Sequence, residues 1–134
     1  MKDKSEKTEK RITGDIGEEY TCKYLKNHGY KILDRNVSSK FGEIDVIACN
    51  KTHIAFVEVK TRHQNPLVRP CLAVTKAKQL RIMRVAYLYL KEHKVKLQPR
   101  FDIAEVYLVK NTTRLYGINY IKGAFIQEGD YAAF

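Results

Sequence analysis

A chain of 134 residues, 44% of them hydrophobic and 30% charged, is long enough to close one core and too apolar for a wholly disordered adaptor. No apolar run approaches the roughly 20 residues that span a bilayer, and the charged start MKDKSEKTEKR lacks the apolar centre of a secretory signal, so a cytoplasmic protein is expected. The net charge of +10 favours a polyanionic partner, of which nucleic acid is the commonest in a cytoplasm.

Residues 1–11 carry no apolar spacing and are expected to form a flexible basic leader to a single domain over residues 12–134. Over residues 14–27, Ile16, Tyr20, Tyr24 and Leu25 recur at helical spacing, and Gly29 follows where a left-handed residue closes a helix. Three strand-like runs come next, at 30–37, 43–48 and 53–59, and the short links at 40–42 and 50–52 suit an antiparallel meander. A polar loop with Pro66 and Pro70 breaks the pattern. Residues 75–91 then read as a second helix, with Leu80, Met83, Tyr87 and Leu90 as its apolar stripe and Lys76, Lys78, Arg81 and Arg84 elsewhere on its surface. Strands at 101–109 and 115–121 complete the order α-β-β-β-α-β-β, an α/β fold with a mixed sheet flanked by helices. Cys22, Cys49 and Cys71, odd in number and without a CxxC pair, argue against a disulfide framework or a zinc site. The four histidines have no ligand spacing, and Arg100 and Asp102 share a strand face as a structural pair.

Two strands hold carboxylates where apolar residues belong. In IAFVEVKTR, Glu58 and Lys60 sit two residues apart in an otherwise aliphatic run, so both emerge on one face. In GEIDVIA, Asp45 is embedded among Ile44, Val46 and Ile47, with Glu43 on its own face. A buried carboxylate is costly unless it is paired or binds a metal. A hairpin with its midpoint between Lys51 and Thr52 sets Asp45 near Glu58, where two acids raise one pKa unless a cation lies between them.

An acid, a short interval and an acid-x-Lys triplet on a buried strand resemble the PD-(D/E)XK restriction-endonuclease-like superfamily. GEEYTCKYL, Arg35–Asn36, GEIDVIA, FVEVKTR, TKAKQLRI, RFDI and Ala124–Phe125 together resemble the YraN-like family of uncharacterised bacterial proteins, over nearly the whole chain. Thr21 departs from that family's commoner Ala. The resemblance implies a restriction-endonuclease-like fold related to Holliday-junction resolvases, with Glu18, Asp45, Glu58 and Lys60 as catalytic residues. It implies Mg²⁺ or Mn²⁺ held by Asp45, Glu58 and the backbone carbonyl of Val59, and an endonuclease acting on DNA, including branched or repair intermediates. A homodimer is also compatible with it. Glu18 either holds Lys60 or serves a second metal, Glu19 beside it is equally available, and Glu43 is a candidate outer contact. Arg62, Lys76, Lys78, Arg81 and Arg84 are the expected nucleic-acid track, because cations in a helix's first turn oppose its dipole and gain from a facing phosphate. The alternative is a non-catalytic nucleic-acid-binding module on the same fold.

Overall fold

The computed structural model describes residues 4–126, with side-chain surroundings from residue 8 onward. Its elements are α1 (Lys4–Asn27), β1 (Lys31–Ser39), β2 (Gly42–Cys49), β3 (His53–His63), a 3-10 turn (Pro70–Ala73), α2 (Lys76–Glu92), β4 (Gln98–Leu108) and β5 (Leu115–Phe125). They follow the expected α-β-β-β-α-β-β order. The five strands lie side by side in chain order. All neighbours are antiparallel except β3 and β4, which α2 joins as a parallel pair. Among the described residues no helix is long and apolar enough to cross a membrane.

Helix α1 begins at Lys4 rather than at residue 14. The Lys- and Glu-rich start has no apolar stripe, but both residues are good helix formers and extend a helix that packing has already nucleated downstream. Residues 1–3 of the expected leader and residues 127–134 of the expected domain lie outside the described residues. The far end of α1 closes as expected. Gly29 takes φ 85, and the amides of Tyr30 and Gly29 donate to the carbonyls of Leu25 and Lys26, the double bond of a left-handed helix stop.

The sheet is covered on both faces. Leu25 and Cys22 of α1 pack on Val46, Ala48, Ala55 and Val57. Ile82, Met83, Val85, Ala86 and Tyr89 of α2 pack on Ile47, Ile54 and Phe56 from the other side. Both buried stripes differ from expectation. In α1, Ile16, Tyr20 and Tyr24 are only half-buried, and Gly17, Glu18, Thr21, Cys22 and Leu25 face the sheet. In α2, Leu80 and Tyr87 are exposed and Leu90 is half-buried. The helix is apolar around much of its circumference, so spacing alone admits two stripes, and contact with Phe56 selects the one through Tyr89.

A fully buried carboxylate locks the α1 side to the sheet. Asp102 accepts both Nε and Nη2 of Arg100, at 2.9 and 2.8 Å, the Tyr120 hydroxyl at 2.7 Å and the Gly123 amide at 2.9 Å. Arg100 also donates to the Tyr30 hydroxyl at 2.7 Å. Arg100 and Asp102 are therefore a structural pair, as expected. Asp102→Ala strips the half-buried guanidinium of its counter-charge and is expected to lower the unfolding free energy by about 3–5 kcal/mol in urea denaturation.

Candidate active site

Strands β2 and β3 pair from Cys49–Ile54 to Val46–Val57 and no further. Continued by one residue, that register sets Asp45 opposite Glu58. The turn that fixes it is held by Asn50, whose side-chain oxygen accepts the amides of Thr52 and His53 at 3.0 and 2.8 Å. Beyond Val57, β2 turns toward β1 while β3 runs on to His63 against β4 alone. The two strands thus form a fork, and the acids stand in its crotch. Asp45 caps the first free amide of the unpaired edge, its Oδ2 accepting from Val59 N at 2.8 Å.

Period-two alternation turns Glu58 to the Phe56 face, toward α2. There the Lys78 Nζ lies 4.0 Å from Glu58 Oε1. Thr75 caps α2 and accepts the Lys78 amide at 3.3 Å, which orients this first turn. The turn has no acidic residue of its own, and Glu58 is the acid that faces it from β3. Burial pushes the Glu58 carboxyl up to about 9, assisted by hydrogen bonding to Asp45 and by its charge. Burial likewise pulls the Lys60 ammonium down to about 8, with Lys78 beside it adding to the effect. Two acids and two lysines therefore share one corner, of which Glu58 and Lys60 are the desolvated members.

Glu18 reaches this corner from the α1 side. It is buried, its Oε2 has no hydrogen-bond partner, and an Arg35 guanidinium nitrogen stands 3.8 Å away. Burial and the charge of Asp45 raise its pKa, against Asn36 and Arg35, which lower it. Arg35 also binds the exposed Glu19, so Glu19 is spent on the surface and Glu18 is the helix acid that faces inward. Gly17 sets this approach. A Cβ there would fall 1.7 Å from Thr61 Oγ1 and 2.9 Å from Thr61 Cβ, so only glycine lets α1 lie so close to β3.

Among the described residues no three His, Cys, Asp or Glu side chains converge on one point. Glu18 lies on the α1 side and Glu58 on the α2 side, so the carboxylates act as a pair with Glu18 apart from them. That donor set still fits a hard cation, since Mg²⁺ takes few carboxylates and completes its shell with water and phosphate oxygens. The raised pKa of Glu58 is what such a charge would relieve.

The expected nucleic-acid track divides. Lys78 belongs to the acids. Arg62 is exposed and lines a cleft of about 860 Å³ with Lys10, Thr13, Val59, Lys60 and His63, between the first half of α1 and the free edge of β3. Arg84 instead lies over the Phe41 ring at 5.7 Å, and Arg81 packs its Cβ beside Gly42, so both support the β1–β2 turn. Lys76 is exposed, as is Glu43, which lies in the β1–β2 ladder opposite Ser38. Residue spacing could not have found the roles of Gly17, Arg35 or Asn36, although Arg35–Asn36 was legible as a motif.

Fold and site define a five-stranded mixed α/β domain that carries a buried glutamate, a half-buried aspartate and two lysines at a strand fork. The model of the uncharacterised protein family UPF0102 matches residues 17–106, and the chain belongs to that family, the YraN-like family its motifs resemble. A UPF0102 protein of Caldanaerobacter subterraneus is 44% identical over 120 residues, covering 89% of this chain and 98% of the relative. One from Caldicellulosiruptor saccharolyticus is 45% identical over 118 residues, covering 87% and 98%, and one from Alkaliphilus oremlandii is 43% identical over 115 residues, covering 84% and 96%.

Two measurements test this geometry. Gly17→Ala must push α1 off Thr61 and is expected to cost about 1–3 kcal/mol as an overpacking change, read by urea denaturation; unchanged stability would refute the close approach. The raised Glu58 pKa means that the folded state holds the proton more tightly than the unfolded chain. Its contribution is complete below pH 4.5 and is lost as pH rises toward about 9. Lys60 acts in the opposite sense only above about pH 8. Between pH 4.5 and about 8, metal-free protein should therefore lose stability with rising pH more steeply than Glu58→Gln does.

Proposed function

We propose that this protein is a metal-dependent endonuclease acting on the phosphodiester backbone of DNA, with branched or repair intermediates as the substrate class. The observation that carries the reading is buried Glu58 facing half-buried Asp45, where burial and the neighbouring acid hold the Glu58 proton and the lysines beside it, Lys78 and Lys60, only partly offset this. Structural carboxylates in this domain look different, as Asp102 does with its full set of donors.

Asp45, Glu58 and the Val59 carbonyl are the residues that would hold Mg²⁺ or Mn²⁺. When bound, such an ion neutralises charge on the scissile phosphate and acidifies a water. The chain's own residues supply the rest. Asp45 is positioned by the Val59 amide, which keeps one carboxylate oxygen directed along the strand. Lys60, with its depressed pKa, offers hydrogen bonds to the phosphate oxygens as negative charge builds on them, and orients the attacking water. The water oxygen bonds to phosphorus and yields a proton to the neutral fraction of Lys60 as the ester P–O bond breaks, and the leaving oxygen takes a proton from solvent. Lys78 balances the second charge at Glu58, and Glu18 steadies the corner from α1. Lys10, Arg62 and His63 share the cleft with Lys60 and with Glu9, and on this reading a strand would approach Lys60 through it.

A non-catalytic binding module remains the competing reading, and one observation favours it. Lys78 gives Glu58 a cation from within the chain, so the acids need no metal to persist. The two readings separate on a branched DNA substrate with Mn²⁺. The nuclease reading expects nicking that Glu58→Ala lowers by about 100-fold or more, the scale for loss of one preorganised electrostatic group, with binding retained. Salt-sensitive binding with no turnover in the wild type would establish the module instead. Mn²⁺ must also displace the proton from Glu58, so calorimetry in buffers of different ionisation enthalpy should detect proton release on binding, and Glu58→Gln should abolish it.

A further inference from the structure

A further buried carboxylate, on β4, stands apart from the acid pair. Glu105 is fully buried and accepts four donors: Asn119 Nδ2 at 2.8 Å, the Cys71 amide at 2.8 Å, Arg69 Nη2 at 3.2 Å and the Tyr107 hydroxyl at 3.3 Å. Burial alone would raise its pKa, but the hydrogen bonds from Asn119, Cys71 and Arg69 hold it below the ordinary carboxylate value. Two of the four donors come from the loop between β3 and α2. Glu105 therefore ties that loop to the sheet. In the β3–β4 ladder it stands beside Lys60, so the tie is one strand away from the candidate active site, about 4.8 Å.

What the tied loop presents is apolar. Leu67 is fully exposed, and Val68 and Leu72 are about two-thirds exposed. A core would have drawn these side chains in, yet the loop is anchored with all three outward. The surrounding charge indicates what they meet. Residues 59–91 contain eight Lys and Arg and no Asp or Glu; Arg81 and Arg84 serve the β1–β2 turn, and Arg62, Arg69 and Lys76 are the exposed cations in and beside the loop. Both ends of the loop run into the proposed site, through β3 and Lys60 on one side and through α2 and Lys78 on the other.

From this arrangement we infer that the loop carrying Leu67 and Val68 is a rigid apolar wedge that enters a nucleic acid at a branch or end, where bases are already partly unstacked. The inference rests on the nuclease reading for the polyanion and adds how a branch is told from a plain duplex. Flanking cations hold the phosphates while the leucine replaces a base-stacking neighbour, the way apolar wedges open base steps in other DNA-binding proteins. Opening costs least where pairing is already interrupted, so the wedge confers preference for branched over continuous duplex. Glu105 keeps the tip from folding back.

The test uses the full chain in EDTA, so that no cleavage occurs, with a four-way DNA junction carrying 2-aminopurine at the branch point and a continuous duplex of the same sequence. Wild type is expected to raise 2-aminopurine fluorescence at the junction and to prefer it over duplex. Leu67→Ser should lose the fluorescence rise and about tenfold of the preference, the scale of one leucine's burial, while duplex affinity and its salt dependence stay unchanged. Leu67→Phe should retain the signal. Because Leu67 touches water rather than the core, unchanged circular dichroism is expected in both variants. A signal equally strong in Leu67→Ser overturns the wedge and leaves nucleic-acid binding standing. Absence of any nucleic-acid binding by wild type overturns the wedge together with the reading beneath it. A shift from dimer to monomer in Leu67→Ser, or loss of binding to anionic phosphatidylserine vesicles, likewise overturns it by giving the loop another occupant.

Discussion

Strands β2 and β3 part after Val46 and Val57, and most of what is distinctive in this domain follows from that separation. A fully paired β3 would bury its edge amides in ladder bonds and leave no opening beside Glu58. Because the pairing stops, Asp45 can turn its side chain onto the Val59 amide, and the free edge from 59 to 63 becomes one wall of a cleft. The parallel partner β4 runs alongside β3 throughout this stretch, so the exposed edge stays straight and rigid. A strand held on one side and open on the other is a fixed platform for side chains that must meet a ligand.

The buried carboxylates fall into two kinds, and the difference is one of hydrogen-bond supply. Asp102 and Glu105 each receive four or more donor contacts and carry no exposed surface. They are saturated, and they act as rivets, one between β4 and the α1 side, the other beneath the loop before α2. Glu18 and Glu58 are buried too, but Glu18 keeps an oxygen without a partner, and Glu58 faces another acid and a lysine 4.0 Å away. Buried acids short of donors keep their protons more tightly, and both Glu18 and Glu58 have raised pKa values. Burial alone does not distinguish these two kinds of carboxylate, whereas the count of donors does.

The same contrast explains which parts of the site were legible in the amino-acid order. Asp45, Glu58 and Lys60 announce themselves because charged residues interrupt aliphatic strands whose period is two. Their opposition follows from the length of a short hairpin, which leaves few registers. Glu105 lies in a strand just as apolar, RFDIAEVYL, yet gave no comparable signal. Its partners Arg69, Cys71 and Asn119 come from the loop before α2 and from β5, and no local pattern links them. The apolar stripe of α2 was misread for a related reason. A helix with hydrophobic residues on several sides offers more than one contiguous face, and only the position of Phe56 in the sheet decides between them.

The sequence by itself determined the order of the elements, the helix stop at Gly29, the meander of β1 to β3 and the identity of the paired acids. Each of these depends on interactions a few residues apart or on a side-chain period that any reader of the chain can count. Tertiary structure alone decided the rest. It brought Lys78 to Glu58, made Glu18 rather than Glu19 the inward acid through the close packing of Gly17 on Thr61, and moved Arg81 and Arg84 to the β1–β2 turn. It also fastened the loop bearing Leu67 to Glu105. These contacts join residues from separate elements, and what selects them is the space left between packed helices and sheet, a quantity that spacing along the chain does not contain.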